Sequence, residues 1–334
     1  MKIYLEYNDE GGPGIFLTRL AKEFNKLGVM AKKIKDADIF IVTGGESIKI
    51  IKEAKERKTK ILYRADGLHY ERVLFGSKII NYYRNRYQRW LLKNSDGVIY
   101  QSNFSKEQFE RFLWAKEGAI IFNGIDANSW NFRASKPVPG QQVRMLSSHH
   151  FRPHKRLQES VRVLAHMIEE GIDAVIFVVG DDNLDTFSHC KSLALELGVD
   201  SRIKWFGKLP VSNLGEVYSQ CHLMICPSWI DPCPNVVIEA LATGLPIICS
   251  STGGVPELVR DAGVIVEEEF KLEYLSYNNF NKIPRVNVKQ YIEGIKKTLS
   301  NWEQISNTGR YYAETDYSIK TVAQKYIKAC QRVI

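Results

Sequence analysis

Short apolar runs alternate with helical stretches along nearly the whole chain, and this alternation constrains the fold most strongly. The candidate strands in the first part of the chain are Ile3–Tyr7, Ile39–Val42, Ile61–Arg64, Val98–Tyr100 and Ala119–Phe122. The pattern returns further on in Val143–Ser147, Val175–Val179, Ile203–Phe206, Leu223–Cys226 and Ile247–Ser250. Because short strands joined by crossover helices pair in parallel, the chain is predicted to be an α/β protein with two Rossmann-like domains in tandem.

A polar segment rich in Pro and Gly, residues 135–142, separates the two series of strands and predicts a linker there. The 334 residues suffice for two cores of ordinary size. We therefore expect an N-terminal domain over residues 1–138, a second domain over residues 139–315 and a C-terminal helical segment over residues 316–334. Apolar residues at helical spacing predict that last helix: Ile319, Val322, Tyr326, Ala329 and Val333.

Composition indicates a globular protein, with 44% hydrophobic and 25% charged residues. No apolar run approaches the roughly 18–20 residues of a membrane-spanning helix, and the first residues lack the apolar region of a signal peptide. Six cysteines are present, and none forms a Cys-x-x-Cys pair. We expect them to be buried thiols of a cytoplasmic protein.

The net charge of +8 is unevenly distributed, because residues 1–140 hold 25 Lys and Arg against 16 Asp and Glu. Part of this excess lies in Arg72–Lys93, where basic and aromatic residues interleave. A basic half favours an anionic partner such as a membrane surface, a phospholipid-linked substrate or a nucleic acid. A solvated helix face is the alternative interpretation.

Residues 227–257, PSWIDPCPNVVIEALATGLPIICSSTGGVPE, combine several features that suit a ligand. A Pro-rich loop containing Asp231 opens a short helix that carries Glu239, and Thr252-Gly253-Gly254 precede a second helix start. Helix N-termini suit a diphosphate, and a carboxylate within the helix suits the two hydroxyls of a ribose. Taken singly, a Gly-Gly pair is typical of a turn and a lone Glu of a solvated surface.

This block resembles the donor-binding block of retaining GT-B glycosyltransferases of family 4, the glycosyl transferases group 1. The family pattern is Glu, seven residues, Glu, followed by G-P and GG; here Glu239 is the second Glu, and Asp231 stands in place of the first. Further motifs follow in the family's order, so that the resemblance covers nearly all of the chain: Ser95–Ile99, Ser102–Lys106, Asn123–Asp126, Gly180-Asp181 and Phe206-Gly207. It implies the GT-B fold, with two Rossmann-like domains whose parallel sheets face a cleft and a last helix that crosses back onto the N-terminal domain.

The resemblance also implies site residues. In the loop SSHHFRPHKR, residues 147–156, Lys155 matches the family lysine that faces the departing phosphate. The family arginine position holds His150, so either His150 or the nearby Arg152 takes that role. The residues expected to bind the sugar-nucleotide donor are Gly12, Gly14, His150, Gly180, Pro234, Asn235, Val236, Val237, Glu239, Gly253 and Gly254. Those expected to act in catalysis are Asp231, Arg152, Lys155, His69 and Asp66.

Two of these assignments have alternatives. A Gly-rich loop at Gly11–Gly14 is predicted after the first strand, ahead of a helix near Ile15–Leu27. Gly12 and Gly14 begin a Gly-x-Gly pattern there, but Leu17 stands where a dinucleotide fingerprint needs its third glycine. Asp66 and His69 follow the strand Ile61–Arg64 and suit the orientation of an acceptor hydroxyl or donor sugar; an Asx turn at Asp66 with a partly packed His69 is the alternative.

The expected function is metal-independent transfer of a hexose-type sugar, with retention, from a nucleoside diphosphate sugar to a hydroxyl of a glycan, lipid-linked or small-molecule acceptor. No metal site is predicted and no cofactor beyond that co-substrate. The expected partners are the nucleotide sugar, the acceptor and an anionic membrane surface at the inner face, without nucleic acid. The alternatives are a GT-B sugar-nucleotide epimerase and a non-catalytic binding protein on a degenerate transferase fold.

Overall fold

The computed structural model describes residues 1–8, 11–69, 78–130, 133–138, 140–182, 185–268 and 283–334. These residues form two units. The first contains residues 1–126 together with 315–334, and the second contains residues 127–268 and 283–314. The units part after Asp126, ahead of the Pro/Gly-rich segment 135–142.

The strands are β1 (Ile3–Leu5), β2 (Ile39–Val42), β3 (Lys60–Ala65), β4 (Gly97–Tyr100), β5 (Ala119–Ile120), β6 (Val143–Ser148), β7 (Ala174–Val179), β8 (Ile203–Gly207), β9 (Leu223–Cys226), β10 (Ile247–Ser250) and β11 (Gly263–Val266). The helices are α1 (Gly11–Lys26), α2 (Ile48–Glu56), α3 (Lys78–Asn94), α4 (Asn103–Phe112), α5 (Leu157–Glu169), α6 (Thr186–Glu196), α7 (Val211–Ser219), α8 (Asn235–Thr243), α9 (Val255–Val259), α10 (Val288–Ser300), α11 (Trp302–Glu314) and α12 (Ile319–Gln331).

The first unit is built on a parallel sheet in the order β1-β2-β3-β4-β5. Ile3 of β1 also forms a parallel bridge with Met30, which follows α1. Strand β1 therefore has a partner on each side. One partner is β2, and the other is the segment at Met30, which the chain reaches through α1. The carboxyl end of β1, where α1 begins, lies at this change of direction, the usual place for a ligand in an open α/β sheet.

Helices α1 and α12 share the core of the first unit. Their apolar faces pack with the strands in one cluster, in which Phe16 and Tyr326 approach to 6.0 Å between ring centroids. Residues 315–334 thus contribute to the same core as the first 126 residues. Burial of this amphipathic face supplies most of the stability of a helix of this length.

The second unit has a parallel sheet in the order β11-β10-β9-β6-β7-β8. Strands β9 and β10 are buried along their whole length, which explains why each is a continuous apolar run in the sequence. Strand β6 pairs with β7 on one side and with β9 on the other. The loops after β6 and β9 therefore leave adjacent strand ends in opposite directions and form the topological switch point of the sheet.

The predicted class, two α/β units with parallel sheets, is confirmed. The prediction of a loop at Gly11–Gly14 is wrong, because these four residues form the first turn of α1. Gly14 is required there because a Cβ would lie 2.2 Å from Oδ1 of Asn8 and 2.5 Å from its carbonyl oxygen. All six cysteines are buried free thiols, as predicted.

Candidate active site

A buried ion pair marks the switch point of the second sheet. Lys155, in the loop after β6, directs its Nζ to Oδ2 of Asp231, in the loop after β9. The side chains are only 13% and 9% exposed, respectively. Because both charges are largely withdrawn from water, each interacts more strongly with a neighbouring charge than it would on the surface.

The turn after β10 lies against the Asp231 loop. The Gly254 N–H donates to the Asp231 carbonyl oxygen at 2.8 Å. Gly253 has φ +80°, and a Cβ there would lie 3.1 Å from that same oxygen. Gly254 was expected to bind the donor, but in the structure its N–H holds the Asp231 loop.

Helix α8 begins beside this turn. Its N-cap is Pro234, whose side chain has no oxygen that could accept from the first-turn N–H groups. Of the predicted first-turn residues 235–237, Val237 already donates its N–H to the Pro234 carbonyl at 3.2 Å. Glu239 lies in the next turn and is 3% exposed. The helix N-terminus and a buried carboxylate thus lie about one turn apart on α8, the helix on which the sequence placed Glu239.

A second group of charges lies at the neighbouring strand end. Nδ1 of His150 contacts Oδ1 of Asp181, and the Lys208 ammonium lies 3.4 Å from Oδ2 of Asp181. Burial acts to raise the pKa of Asp181, but the hydrogen bond and charge of His150, together with Lys208, outweigh it and lower that pKa. The predicted residue His150 therefore has a carboxylate partner that sequence reasoning did not assign to it.

The other two histidines of this loop are not cationic. Burial lowers the pKa of His149 and His154 well below the ordinary value, and the charge of Lys155 acts in the same direction. The charge of Arg152 also acts to lower the pKa of His154, so the neighbouring cations, like burial, disfavour protonation of this imidazole. Arg152 is half-buried and is the N-cap of the 3-10 turn Pro153–Lys155 that ends in Lys155.

Gly180 allows the loops after β6 and β7 to meet. It has φ +136°, and a Cβ there would lie 1.7 Å from the carbonyl oxygen of His149. Its N–H donates to Gly207 at 2.8 Å, and the Phe151 N–H donates to the Asp181 carbonyl at 2.7 Å. The position of Gly180 is thus explained by close backbone approach beneath His149 and His150.

Asp66 and His69, the predicted catalytic residues of the first unit, are held by a buried arginine and by two side-chain amides. Arg64 is fully buried; its guanidinium contacts Oδ1 of Asp66 and donates to Tyr326 Oη at 3.0 Å. Gln101 also donates to Oδ1 of Asp66, at 2.8 Å. The backbone N–H and carbonyl of His69 bond to the Asn85 side chain at 3.0 and 2.6 Å. One oxygen of Asp66 is therefore committed to fixing the end of β3.

Sequence reasoning missed Arg156 and Glu268. Arg156 is fully buried, and its NH1 and NH2 groups donate to Oε2 and Oε1 of Glu268 at 2.9 and 2.8 Å. In the sequence Arg156 is one more basic residue of the loop, and Glu268 stands 112 positions away. No local signal links the two residues, because their pairing depends on the order of strands in the sheet.

Comparison with known proteins places these features in a family. Residues 128–315 match the model of the family described as Glycosyl transferases group 1. N-acetyl-alpha-D-glucosaminyl L-malate synthase of Bacillus anthracis is 32% identical over 192 residues, 55% of this chain and 49% of that protein. Lipopolysaccharide glucosyltransferase WaaG of Escherichia coli is 28% identical over 148 residues, 43% of this chain and 38% of that protein. The chain spans about half the length of the first curated relatives it matches.

Solved structures share the fold over almost the whole chain. Anabaena Alr3699/HepE in complex with UDP superposes with a TM-score of 0.71 at 16% identity, covering 99% of this chain and 100% of that one. Sucrose-phosphate synthase from Thermosynechococcus elongatus gives 0.72 at 15% identity, covering 99% and 98%. The predicted GT-B fold class is confirmed. Because the family model matches more than half of the residues, the chain belongs to the glycosyl transferases group 1 family.

Proposed function

We propose that this protein is a retaining, metal-independent glycosyltransferase that moves a sugar from a nucleoside diphosphate sugar to an acceptor hydroxyl. The observation that carries the proposal is the buried Lys155–Asp231 pair at the switch point, beside the start of α8. Structural relatives support a nucleotide-sugar donor, since HepE has been crystallised with UDP and with UDP-glucose.

In this proposal the diphosphate lies between Lys155 and the N-terminus of α8. The Lys155 ammonium and the first-turn N–H groups offset the negative charge that grows on the departing phosphate. Oδ2 of Asp231 orients the ammonium, and its Oδ1 accepts from a hydroxyl of the donor sugar. These groups are in place before the reaction and buried, so little reorganisation is needed in the transition state.

The transfer itself needs no protein nucleophile. The acceptor oxygen bonds to the anomeric carbon on the face from which the phosphate departs, while the bond from that carbon to the phosphate oxygen breaks. The acceptor proton passes to the departing oxygen, so charge and atoms balance and the anomeric configuration is retained. The contribution of the protein is positioning and electrostatic stabilisation.

Replacement of Glu239 tests the donor site. A hydrogen bond to a charged group contributes about 1.5–3 kcal/mol, so Glu239→Gln should weaken nucleotide binding roughly tenfold or more. The nucleotide is chosen by thermal shift among UDP, GDP and ADP, because a ligand at ~100 times its Kd adds about 2.7 kcal/mol of stability. Titration calorimetry then compares Kd with that of Glu216→Gln, an exposed residue of α7. Equal nucleotide affinity in a folded Glu239→Gln protein would refute the assignment.

Metal independence is proposed because cationic side chains stand where a bridging metal would otherwise be needed. In the described part of the chain, no cluster of three His, Cys, Asp or Glu residues is arranged to hold a metal ion. Turnover should therefore persist in excess EDTA at an unchanged rate. Loss of turnover that is restored by magnesium or manganese would show that a metal bridges the diphosphate.

We further propose that the exposed face of α3 meets an anionic membrane surface. Tyr82 and Tyr83 are 56% and 63% exposed, and Arg84, Arg86 and Arg89 are exposed beside them. Tyr82 and Tyr83 thus do not pack in the core, whereas Tyr87 and Trp90 of the same helix are half-buried. Arg72 of the same predicted segment lies outside the described residues. Aromatic rings suit the headgroup level, and each basic residue near an anionic surface adds about 1 kcal/mol. Among the described helices none has the length and apolar character to span a membrane.

Cosedimentation with vesicles containing anionic phospholipid tests this surface. Wild-type protein should bind at low salt and be released at high salt, whereas the triple variant Arg84→Glu, Arg86→Glu, Arg89→Glu should not bind. A triple variant with the same charge change on α2 and at the residue that follows it, Lys49→Glu, Lys52→Glu, Arg57→Glu, serves as the control, because these residues are also exposed. Absence of wild-type binding, or equal loss in both variants, would contradict a specific α3 surface.

A further inference from the structure

We propose that the buried Arg156–Glu268 pair is a positioning pair, which holds Lys155 where the leaving diphosphate needs it and thereby sets the rate of transfer. This inference rests on the proposed function, in which Lys155 contacts the reacting groups. Arg156 and Glu268 themselves act through Lys155.

Arg156 makes four side-chain hydrogen bonds within the protein. Besides the two bonds to Glu268, its Nε donates to the Pro227 carbonyl and its NH1 to the Pro284 carbonyl at 3.3 Å. The side chains of Arg156 and Glu268 are 0% and 5% exposed. A bidentate pair of this kind fixes orientation as well as distance, since two parallel bonds resist rotation.

The partners of this pair stand at four adjacent strand ends. Arg156 belongs to the loop after β6, Pro227 directly follows β9, and Glu268 follows β11. The Glu268 N–H donates to Ser251 Oγ at 3.0 Å, and Ser251 directly follows β10. One ion pair therefore ties together the loops that carry Lys155, Asp231 and the Gly253–Gly254 turn.

The backbone of Arg156 adopts a conformation that glycine would favour. Arg156 has φ +54° and ψ +42°, the left-handed conformation that glycine adopts without strain. If this position served only to end the 3-10 turn, glycine would adopt the same backbone conformation with less strain. Strain of this kind persists when surrounding contacts determine the conformation, and it is concentrated at functional sites.

Stability alone does not account for a buried ion pair. Apolar residues of similar volume often replace such pairs without loss of stability, because the charges no longer have to be desolvated. Lys155 is the residue immediately before Arg156, so fixing the Arg156 guanidinium also fixes the Lys155 backbone. A catalytic group displaced by about 1 Å can lose roughly a hundredfold in rate.

The test removes both charges together. We expect the double variant Arg156→Met, Glu268→Leu to fold with a Tm close to that of wild type and to bind the nucleotide with a Kd within about threefold of wild type. Its kcat should fall between about tenfold and a hundredfold, because misplacement acts on the transition state. The control is Arg202→Met, Asp173→Leu, which removes an exposed ion pair of the same unit.

Hydrogen exchange gives a readout that does not depend on activity. Amides of the loop after β6, residues 151–157, should exchange faster in the double variant than in wild type and the control. Unchanged exchange in that loop overturns the inference, whatever the activity. So does an unchanged kcat, or a nucleotide affinity that falls as much as kcat, which would make the pair part of the binding site. If the double variant fails to fold, the same measurements are made on the double variant Arg156→Gly, Glu268→Gln, which relieves the backbone strain and removes both charges. If wild-type protein transfers no sugar from any nucleotide donor, the proposed function fails, and the exchange result still decides whether the pair holds the loop.

Discussion

Replacing Lys155 with methionine is expected to lower kcat by about 10²–10³-fold, the effect of removing one preorganised group that stabilises developing negative charge. The ammonium is 13% exposed and lies at the switch point of the sheet, so solvent replaces it poorly. The measurement is the initial rate of sugar transfer at saturating donor. Lys296→Met is the matched control, because Lys296 pairs with Glu170 on the surface of the same unit.

The loss of Lys155 also leaves Asp231 buried without its cation, and an unpaired buried charge is itself destabilising. The double variant Lys155→Met, Asp231→Asn separates the two effects, because the neutral amide needs no counter-charge. We expect it to unfold at a temperature near that of wild type and to remain inactive. Transfer at the wild-type rate by this folded double variant would show that neither residue takes part in the reaction.

Gly180→Ala is expected to have the largest effect on stability, a loss of about 4 kcal/mol or more in the free energy of unfolding. The new Cβ would lie 1.7 Å from the carbonyl oxygen of His149, and both clashing groups are held by backbone hydrogen bonds. Relief of the clash requires the loops after β6 and β7 to separate. Nucleotide affinity should therefore fall together with stability, as urea denaturation and calorimetry will show.

A second glycine provides the control for backbone conformation. Gly198 has φ +68°, and nothing lies within 4 Å of a Cβ built on it. Gly198→Ala therefore measures the cost of left-handed backbone alone, about 1–2 kcal/mol. If Gly180→Ala costs no more than Gly198→Ala, the close approach beneath His149 is not what requires glycine at position 180.

Some strands could be located in the sequence to the residue. The predicted bounds of β2, β9 and β10 agree with the structure because these strands are buried along their whole length. A strand buried on both faces is a continuous apolar run with clear ends. The start of α1 was placed too late, since four residues that include three glycines and a proline resemble a loop while serving as a helical first turn.

The candidate site was predictable where the family resemblance singled out its residues. Lys155 and Asp231 follow β6 and β9, the two strands at the switch point, and the family resemblance singled out both. Contacts that depend on side-chain packing were not predictable. Nothing near Arg156 in the sequence indicates Glu268, and nothing near Gly254 indicates that its N–H is already bound to Asp231.

The packing of α12 against α1 has a consequence for the synthesis of the protein. Arg64, at the end of β3, remains without its Tyr326 contact until α12 has been synthesised, whereas the described residues between 127 and 314 all belong to the second unit. During translation the second unit can therefore complete its core first. The core of the first unit is completed by contacts of very high sequence separation, which form slowly and leave apolar surface exposed in the nascent chain.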